Sequence, residues 1–135
     1  MLIHSKKITI IKIRKPVEHN LNNELQWLGD SLGLFSLRDK DKSCFRIFIE
    51  LLKSAKKGDL LSSDEIAFRL NLSRGTVIHH INKLIDSGIV LHRKNRYMLR
   101  VENLVSLIEE LQRDIRRACI DLKQVAQEID KAMGL

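Results

Sequence analysis

The chain has 135 residues, a length typical of one domain with a modest extension, and 44% of them are hydrophobic. No apolar run approaches the ~18–20 residues that a membrane span needs, and no signal-peptide cleavage pattern follows the first residues. The 24 basic and 17 acidic side chains give a formal net charge of +7. We therefore expect a cytoplasmic protein whose partner carries negative charge.

The positive charge is unevenly distributed along the chain. Residues 1–56 hold 11 basic and 6 acidic side chains (+5), and residues 57–100 hold 8 and 4 (+4). Residues 101–135 hold 5 basic and 7 acidic side chains (−2). This distribution indicates a basic, polyanion-binding body joined to a C-terminal part that does not touch the polyanion.

Residues 1–42 are predicted to form an N-terminal arm of one strand and one helix. The isoleucine-rich stretch KITIIKIR over residues 7–14 favours a strand, and Pro16 ends it. Asn20 is a good N-cap for a short amphipathic helix that ends near Gly33. An isolated strand is unstable in water, so we expect pairing with a symmetry mate or with the wing domain. We rank such an interface above a DNA contact through the strand's lysines.

Residues 43–100 contain the pattern of two short helices joined by a tight turn. The stretch Ser62-x-x-Glu65 is a capping box that opens the first helix, and Asn71-Leu72-Ser73 is the turn. A small residue at Ala67 allows close helix approach, and Leu72, Val77 and Ile81 supply the inward apolar positions. These spacings predict a helix-turn-helix whose second helix ends at Gly88.

The second helix of this motif, over about residues 74–86, is predicted to present a polar face outward. Arginine and asparagine can read base edges, whereas lysine, serine, threonine and helix N-terminal amides suit phosphates. Gly75 would allow close approach to a duplex. The candidate DNA-binding residues of this helix are Ser73, Arg74, Gly75, Thr76, His79, Asn82 and Lys83.

A hairpin is predicted over residues 89–100, with Asn95 in its turn. Ile89, Leu91, Tyr97 and Leu99 alternate as its inward residues. The candidate DNA-binding residues at its tip are Arg93, Lys94 and Arg96, with Arg100 adding to the same basic cluster. The functional interpretation is a wing on the backbone or minor groove, and the alternative is a solvated turn.

Residues 101–135 are predicted to form one helix of about 30 residues with an unbroken heptad pattern. Such a helix is longer than one small domain can cover, so part of the seam needs a second chain, although a helix folded back on its own domain is the alternative. Isoleucine and leucine at the two heptad positions favour two strands. The candidate dimer-interface residues are Leu104, Ile108, Leu111, Ile115, Ala118, Leu122, Val125 and Ile129.

The segment from about Ser43 to Arg100, with its pattern LSSDEIAFRLNLSRGTVIHHINKLIDSGIV, resembles the winged helix-turn-helix of ArsR/MarR-like transcription regulators, most closely archaeal members. The resemblance covers under half the chain and implies a dimer on a two-fold related operator. Metal-sensing members carry a cysteine pair in or beside the recognition helix. This chain lacks one there, because its two cysteines are Cys44 and Cys119.

Together these patterns predict a mainly α fold with a small β-wing: an N-terminal arm, a winged helix-turn-helix and a long C-terminal dimerisation helix. The predicted function is a homodimeric, sequence-specific regulator of transcription that binds double-stranded DNA. The alternative is a winged-helix protein–protein interaction module in a transcription-related assembly. We expect no enzyme activity, because the sequence shows no nucleophile–base pair, carboxylate constellation or glycine-rich phosphate loop, and we expect no cofactor or membrane partner. We also expect no metal site, because the adjacent residues His79 and His80 point about 100° apart on a helix.

Overall fold

The computed structural model describes residues 6–35 and 41–135. Five helices and a three-stranded antiparallel sheet in the order β1-β3-β2 make up the described fold. The helices are α1 (Leu21–Ser31), α2 (Ser43–Lys57), α3 (Ser63–Leu70), α4 (Arg74–Asp86) and α5 (Leu104–Met133). The strands are β1 (Leu61–Ser62), β2 (Val90–Arg93) and β3 (Arg96–Leu99). The predicted fold class, a mainly α winged helix with a long C-terminal helix, is confirmed.

Helix α2 lies at the centre of the core. Its residues Cys44, Ile47, Phe48 and Leu51 are at most 1% exposed. Apolar residues of α3, α4, the sheet and the start of α5 surround them. The near-continuous apolar surface of α2 explains this position, because a helix that is apolar on most sides is stable only when other elements cover it.

The helix boundaries follow the capping residues in the sequence. The Asn20 side chain accepts a hydrogen bond from the Asn23 amide at the start of α1. The Ser62 hydroxyl does the same for the Glu65 amide at the start of α3. Gly58, with φ of +72°, ends α2 in the left-handed conformation that glycine adopts without steric cost. Local capping chemistry therefore determines these helix ends without the help of tertiary contacts.

The predicted strand over residues 7–14 is wrong. Residues 6–16 form no helix and no strand, and they run along the body of the protein. The Lys7 amide donates to the Asp86 carbonyl oxygen and the Ile11 amide to the Ser31 carbonyl oxygen, both at 2.8 Å. The β-propensity of the isoleucines remains, but no neighbouring strand in the described chain lies beside the segment to complete a ladder.

The hairpin is confirmed, with two corrections. Val90 (1% exposed) is its inward residue on the first strand, whereas Leu91 is 46% exposed. Val90 lies opposite Leu99 in the ladder, so both side chains lie on the same face of the sheet. The short strand β1, which pairs with β3, was not predicted because two residues carry no periodicity. Part of the predicted N-terminal arm, residues 1–5 and 36–40, lies outside the described residues.

Within the described ranges, no helix combines the length and apolar character that crossing a bilayer requires.

Candidate nucleic-acid interface

The turn between α3 and α4 has the geometry that the sequence predicted. Asn71 adopts the left-handed conformation, with φ of +55° and ψ of +48°. The Leu72 amide then donates to the Ala67 carbonyl oxygen at 2.9 Å, which closes the end of α3. Asparagine replaces the glycine common in such turns because it tolerates this conformation better than most residues. The turn sets the direction in which α4 leaves α3.

Helix α4 is divided into a buried apolar face and an exposed polar face. Val77, Ile81 and Leu84 are fully buried against the core. His80 is also buried, at 9% exposed, and its ring lies 5.2 Å from that of His79. The opposite side of α4 is therefore the only one that can approach a large ligand.

The predicted α4 site residues lie on this outer side. Thr76 is half-buried, and its Oγ1 lies 2.8 Å from Ser73 Oγ, which also caps the helix by accepting from the Thr76 amide. A Cβ built on Gly75 would meet no atom within 4 Å, so the first turn of α4 is sterically open. The remaining residues are exposed: Ser73, Arg74, Gly75, His79, Asn82 and Lys83.

Arg74 has an acidic neighbour that sequence reasoning missed. Its Nε lies 3.6 Å from Asp64 Oδ1 on α3, and both side chains are more than two-thirds exposed. Such an exposed pair contributes little to stability and is screened by salt. The contact holds the guanidinium near the start of α4 without preventing its release to another anion.

The wing tip carries two cations without an acidic partner. Lys94 and Asn95 both have positive φ, of 48° and 62°, which is the two-residue turn geometry that joins β2 to β3. Arg93 lies opposite Arg96 in the ladder. Arg93 and Lys94 are exposed, and neither takes part in an ion pair within the described part of the chain. The tip therefore concentrates positive charge in solvent.

Arg96 stabilises the position of the wing and also contributes to its positive charge. Its Nη1 donates to Glu65 Oε1 at 2.9 Å and to the Leu60 carbonyl oxygen at 3.0 Å, and half of the side chain remains exposed. The contact ties the wing to the start of α3. Arg96 thus differs from Arg93 and Lys94, whose side chains extend freely.

Arg100 does not belong to the wing's charged surface, contrary to its assignment to the basic cluster. Its guanidinium forms a two-bond pair with Asp114 and lies 3.1 Å from Glu110, both on α5. The Arg100 hydrogen bond holds the pKa of the Asp114 carboxyl below its usual range. Lys6 also lies 3.6 Å from Asp114. Spacing alone could not have revealed this pair, since it joins the residue after β3 to α5 in space.

The predicted interface residues of α5 fall into two groups. Leu111 is 3% exposed and Leu104 is half-buried, and both pack on the chain's own core. Leu107, which the heptad pattern omitted, is fully buried there too. Between the two groups lie Ile115, which is half-buried, and Ile108, whose side chain is 40% exposed. The exposed group contains Ala118, Leu122, Val125 and Ile129.

The described residues contain no group of three or more histidine, cysteine or acidic side chains placed to hold a metal ion. Cys44 is buried in the core and Cys119 is exposed on α5.

Comparison with known families supports a winged helix-turn-helix. A family model described as winged helix-turn-helix DNA-binding matches residues 45–90, which is 46 of the 135 residues. The match runs from α2 through α4 to the first residue of the wing. No curated protein and no solved structure matched the chain.

This match supports a regulator of the winged helix-turn-helix class with double-stranded DNA as its partner. The finer resemblance to ArsR/MarR-like regulators, and to archaeal members among them, stays a prediction.

Proposed function

We propose that the protein is a homodimeric regulator of transcription that binds double-stranded DNA at specific sequences. One observation carries the proposal. The polar face of α4 is open to solvent while Val77, Ile81 and Leu84 on its opposite face are buried, and the adjoining wing tip carries two exposed cations with no ion-pair partner among the described residues. A helix held by a rigid core with a polar face outward is what insertion into a major groove requires.

Within this proposal, α4 reads the DNA bases. Arg74 and Asn82 are long or amide side chains that can form paired hydrogen bonds with base edges. The first-turn amides of α4, together with Ser73 and Lys83, would hold phosphates. Gly75 allows the helix to approach the duplex because no side chain stands there.

The wing supplies affinity that does not depend on sequence. Arg93 and Lys94 would neutralise phosphates along the backbone or enter the minor groove, and each contact releases counterions. Arg96 would act partly by positioning, since its bonds to Glu65 and to the Leu60 carbonyl orient the hairpin.

The length of α5 supports the proposed homodimer. Its C-terminal half extends past the domain with Leu122, Val125 and Ile129 between 50% and 69% exposed at heptad spacing. A second copy of the same helix would cover this seam. The two-fold axis would then present two α4 helices to half-sites separated by about one helical turn, ~34 Å.

The test is a duplex-binding titration at several salt concentrations. The double variant Arg93→Gln/Lys94→Gln should bind all duplexes more weakly and reduce the slope of log affinity against log salt by about 0.9 per lost phosphate contact. The matched control is Arg116→Gln/Lys123→Gln, which removes the same charge from exposed positions of α5. A second arm, Asn82→Ala, should change the sequences selected from a random pool more than it changes overall affinity. The proposal would be refuted if the wing and control variants had equal slopes of log affinity against log salt and the Asn82→Ala variant selected the same DNA sequences as the wild type.

A second candidate function is a protein–protein interaction module in a transcription-related assembly. Phe68 favours it, because this α3 side chain is 89% exposed and contributes nothing to the core. The module would associate with another protein and bind duplexes weakly. Light scattering with and without a mixed DNA pool separates the two candidates, since only the regulator gains mass on adding DNA.

A further inference from the structure

The N-terminal segment, defined here as residues 6–16, is attached to the protein through one side of its backbone. Lys7 and Ile11 donate their amides to carbonyl oxygens of Asp86 and Ser31. The Ile13 carbonyl oxygen accepts from Trp27 Nε1 at 3.1 Å. All three residues are odd-numbered, and a period of two is what an extended backbone produces, because successive peptide groups point to opposite sides.

The side chains of the segment alternate in the same way. Lys6, Ile8 and Ile10 line a groove of about 470 Å³ against α5, whereas the Thr9 side chain lies on Gly33. The alternation of both backbone and side chains shows that the segment has strand geometry on its attached side. What it lacks is a neighbouring strand.

The opposite side of this backbone has no hydrogen-bond partner among residues 6–35 and 41–135. Residues 8, 10, 12 and 14 take part in no backbone hydrogen bond with the described residues of the chain. Ile10 is also 63% exposed, Ile11 47% and Ile13 36%. An exposed edge of β-branched residues with free amide and carbonyl groups is a template for adding a strand.

We propose that this free edge pairs in antiparallel fashion with the same segment of a second copy, with Ile10 opposite Ile10 of the partner subunit. In this register Lys12 lies opposite Ile8 and Lys7 opposite Ile13, so over residues 7–13 no two lysines face each other. Like charges directly opposite in a ladder are destabilising, and in this register they meet only at its outer ends, where Lys6 lies opposite Arg14. A register shifted to put residue 8 opposite residue 10 would instead place Lys6 against Lys12.

A second copy of the chain is the favoured partner for the free edge of residues 8–14, because this edge adjoins the exposed apolar seam of α5. The groove beside Ile8 and Ile10 is completed by Ile115, Ala118, Cys119 and Leu122 of α5. Three of these are residues of the seam that the proposed homodimer uses, so one two-fold axis can bring both the helices and the edges together. The inference rests on that dimer and adds an intermolecular two-stranded ribbon to it.

Disulfide trapping in the full chain tests the pairing. The background is Cys119→Ser, which removes the exposed thiol of the same groove, while Cys44 stays buried in the core. In the proposed register the Cα atoms of two copies of residue 10 lie ~5.5 Å apart, within disulfide range. Each copy of residue 11 lies opposite Thr9 of the other chain, and a strand rises ~3.3 Å per residue, so the Cα atoms of the two residues 11 lie ~8 Å apart. That distance is beyond disulfide range.

Under mild oxidation, Ile10→Cys should form a covalent dimer at least about ten-fold faster than the matched variant Ile11→Cys, because only the first pair meets disulfide geometry. Equal rates at both positions in a chain that light scattering shows to be dimeric would overturn the strand pairing and leave the α5 dimer standing. A monomeric chain would overturn the pairing as well. Selective trapping at residue 10 in a protein that binds no duplex would support the pairing and refute the proposed DNA-binding function.

Discussion

The two halves of α5 each carry an apolar face, but those faces lie in opposite environments. In the first half, Leu107 and Leu111 are at most 3% exposed because the core of the winged domain lies against them. In the second half, Leu122 and Ile129 are 69% and 50% exposed because the helix has passed the end of that domain. Apolar spacing thus identifies an apolar face of a helix. Whether that face stabilises the monomer or is left for a second chain to cover depends on which element packs against it.

The largest effect that tests this contrast is expected in the buried half. Leu107→Ala should lower the free energy of unfolding by about 2–5 kcal/mol, because it leaves a cavity among core side chains. The matched control is Val105→Ala on the same turn of α5, where the side chain is 69% exposed. Chemical denaturation measures both. Equal losses for the two variants would mean that the start of α5 does not pack on the domain as described.

Substitutions in the exposed half of α5 should change the dimer dissociation constant rather than the free energy of unfolding. Leu122→Ala removes one side chain from each copy in the proposed dimer, so the dimer dissociation constant should rise about 30-fold, equivalent to ~2 kcal/mol. Ile120→Ala is the control, since Ile120 is 59% exposed on α5 but lies off the seam. Sedimentation over a range of concentrations gives both constants. A seam variant that dissociates no more readily than the Ile120→Ala control would contradict the two-chain interpretation of this half.

An effect of similar size in free energy concerns the junction between the halves, where Asp114 meets Arg100. Asp114→Asn should cost about 2 kcal/mol at neutral pH through loss of a charged hydrogen-bonded pair. Arg100 lowers the folded-state pKa of Asp114, so this stabilisation is complete above the ordinary carboxyl pKa and is lost as pH falls through the lowered value.

The free energy of unfolding measured against pH should therefore show the wild type and Asp114→Asn converging in acid. Asp121→Asn, at an exposed position further along α5, serves as the control and should leave the pH profile unchanged. Curves for wild type and Asp114→Asn that stay parallel down to the acid limit would show that the carboxylate is not the stabilising group.

The central fold could be predicted from sequence because its determinants are local. The capping residues Asn20, Ser62 and Ser73 fixed helix starts, and the positive φ of Asn71 fixed the turn. The inward residues of α4 followed from helical periodicity alone. The outward face of α4 could then be predicted as the side opposite the buried residues. Its candidate site residues are accordingly exposed or half-buried.

What could not be predicted depended on neighbours distant in sequence. A strict heptad assigned Ile108 to the seam and missed Leu107, because the face of α5 that meets the winged domain is rotated from the face that continues beyond it. Arg100 was grouped with the wing because its partner Asp114 lies on another element. The segment over residues 7–14 had strand propensity but no strand beside it, and sequence carries no record of that absence.

The bond from the Trp27 indole to the Ile13 carbonyl oxygen has a practical consequence, since Trp27 is the sole tryptophan of the chain. Its fluorescence emission will respond when the N-terminal segment leaves α1, because the indole then loses its bond to the Ile13 carbonyl oxygen. Intrinsic emission and far-ultraviolet circular dichroism recorded on one sample would thus follow detachment of the segment and loss of helix as separate events.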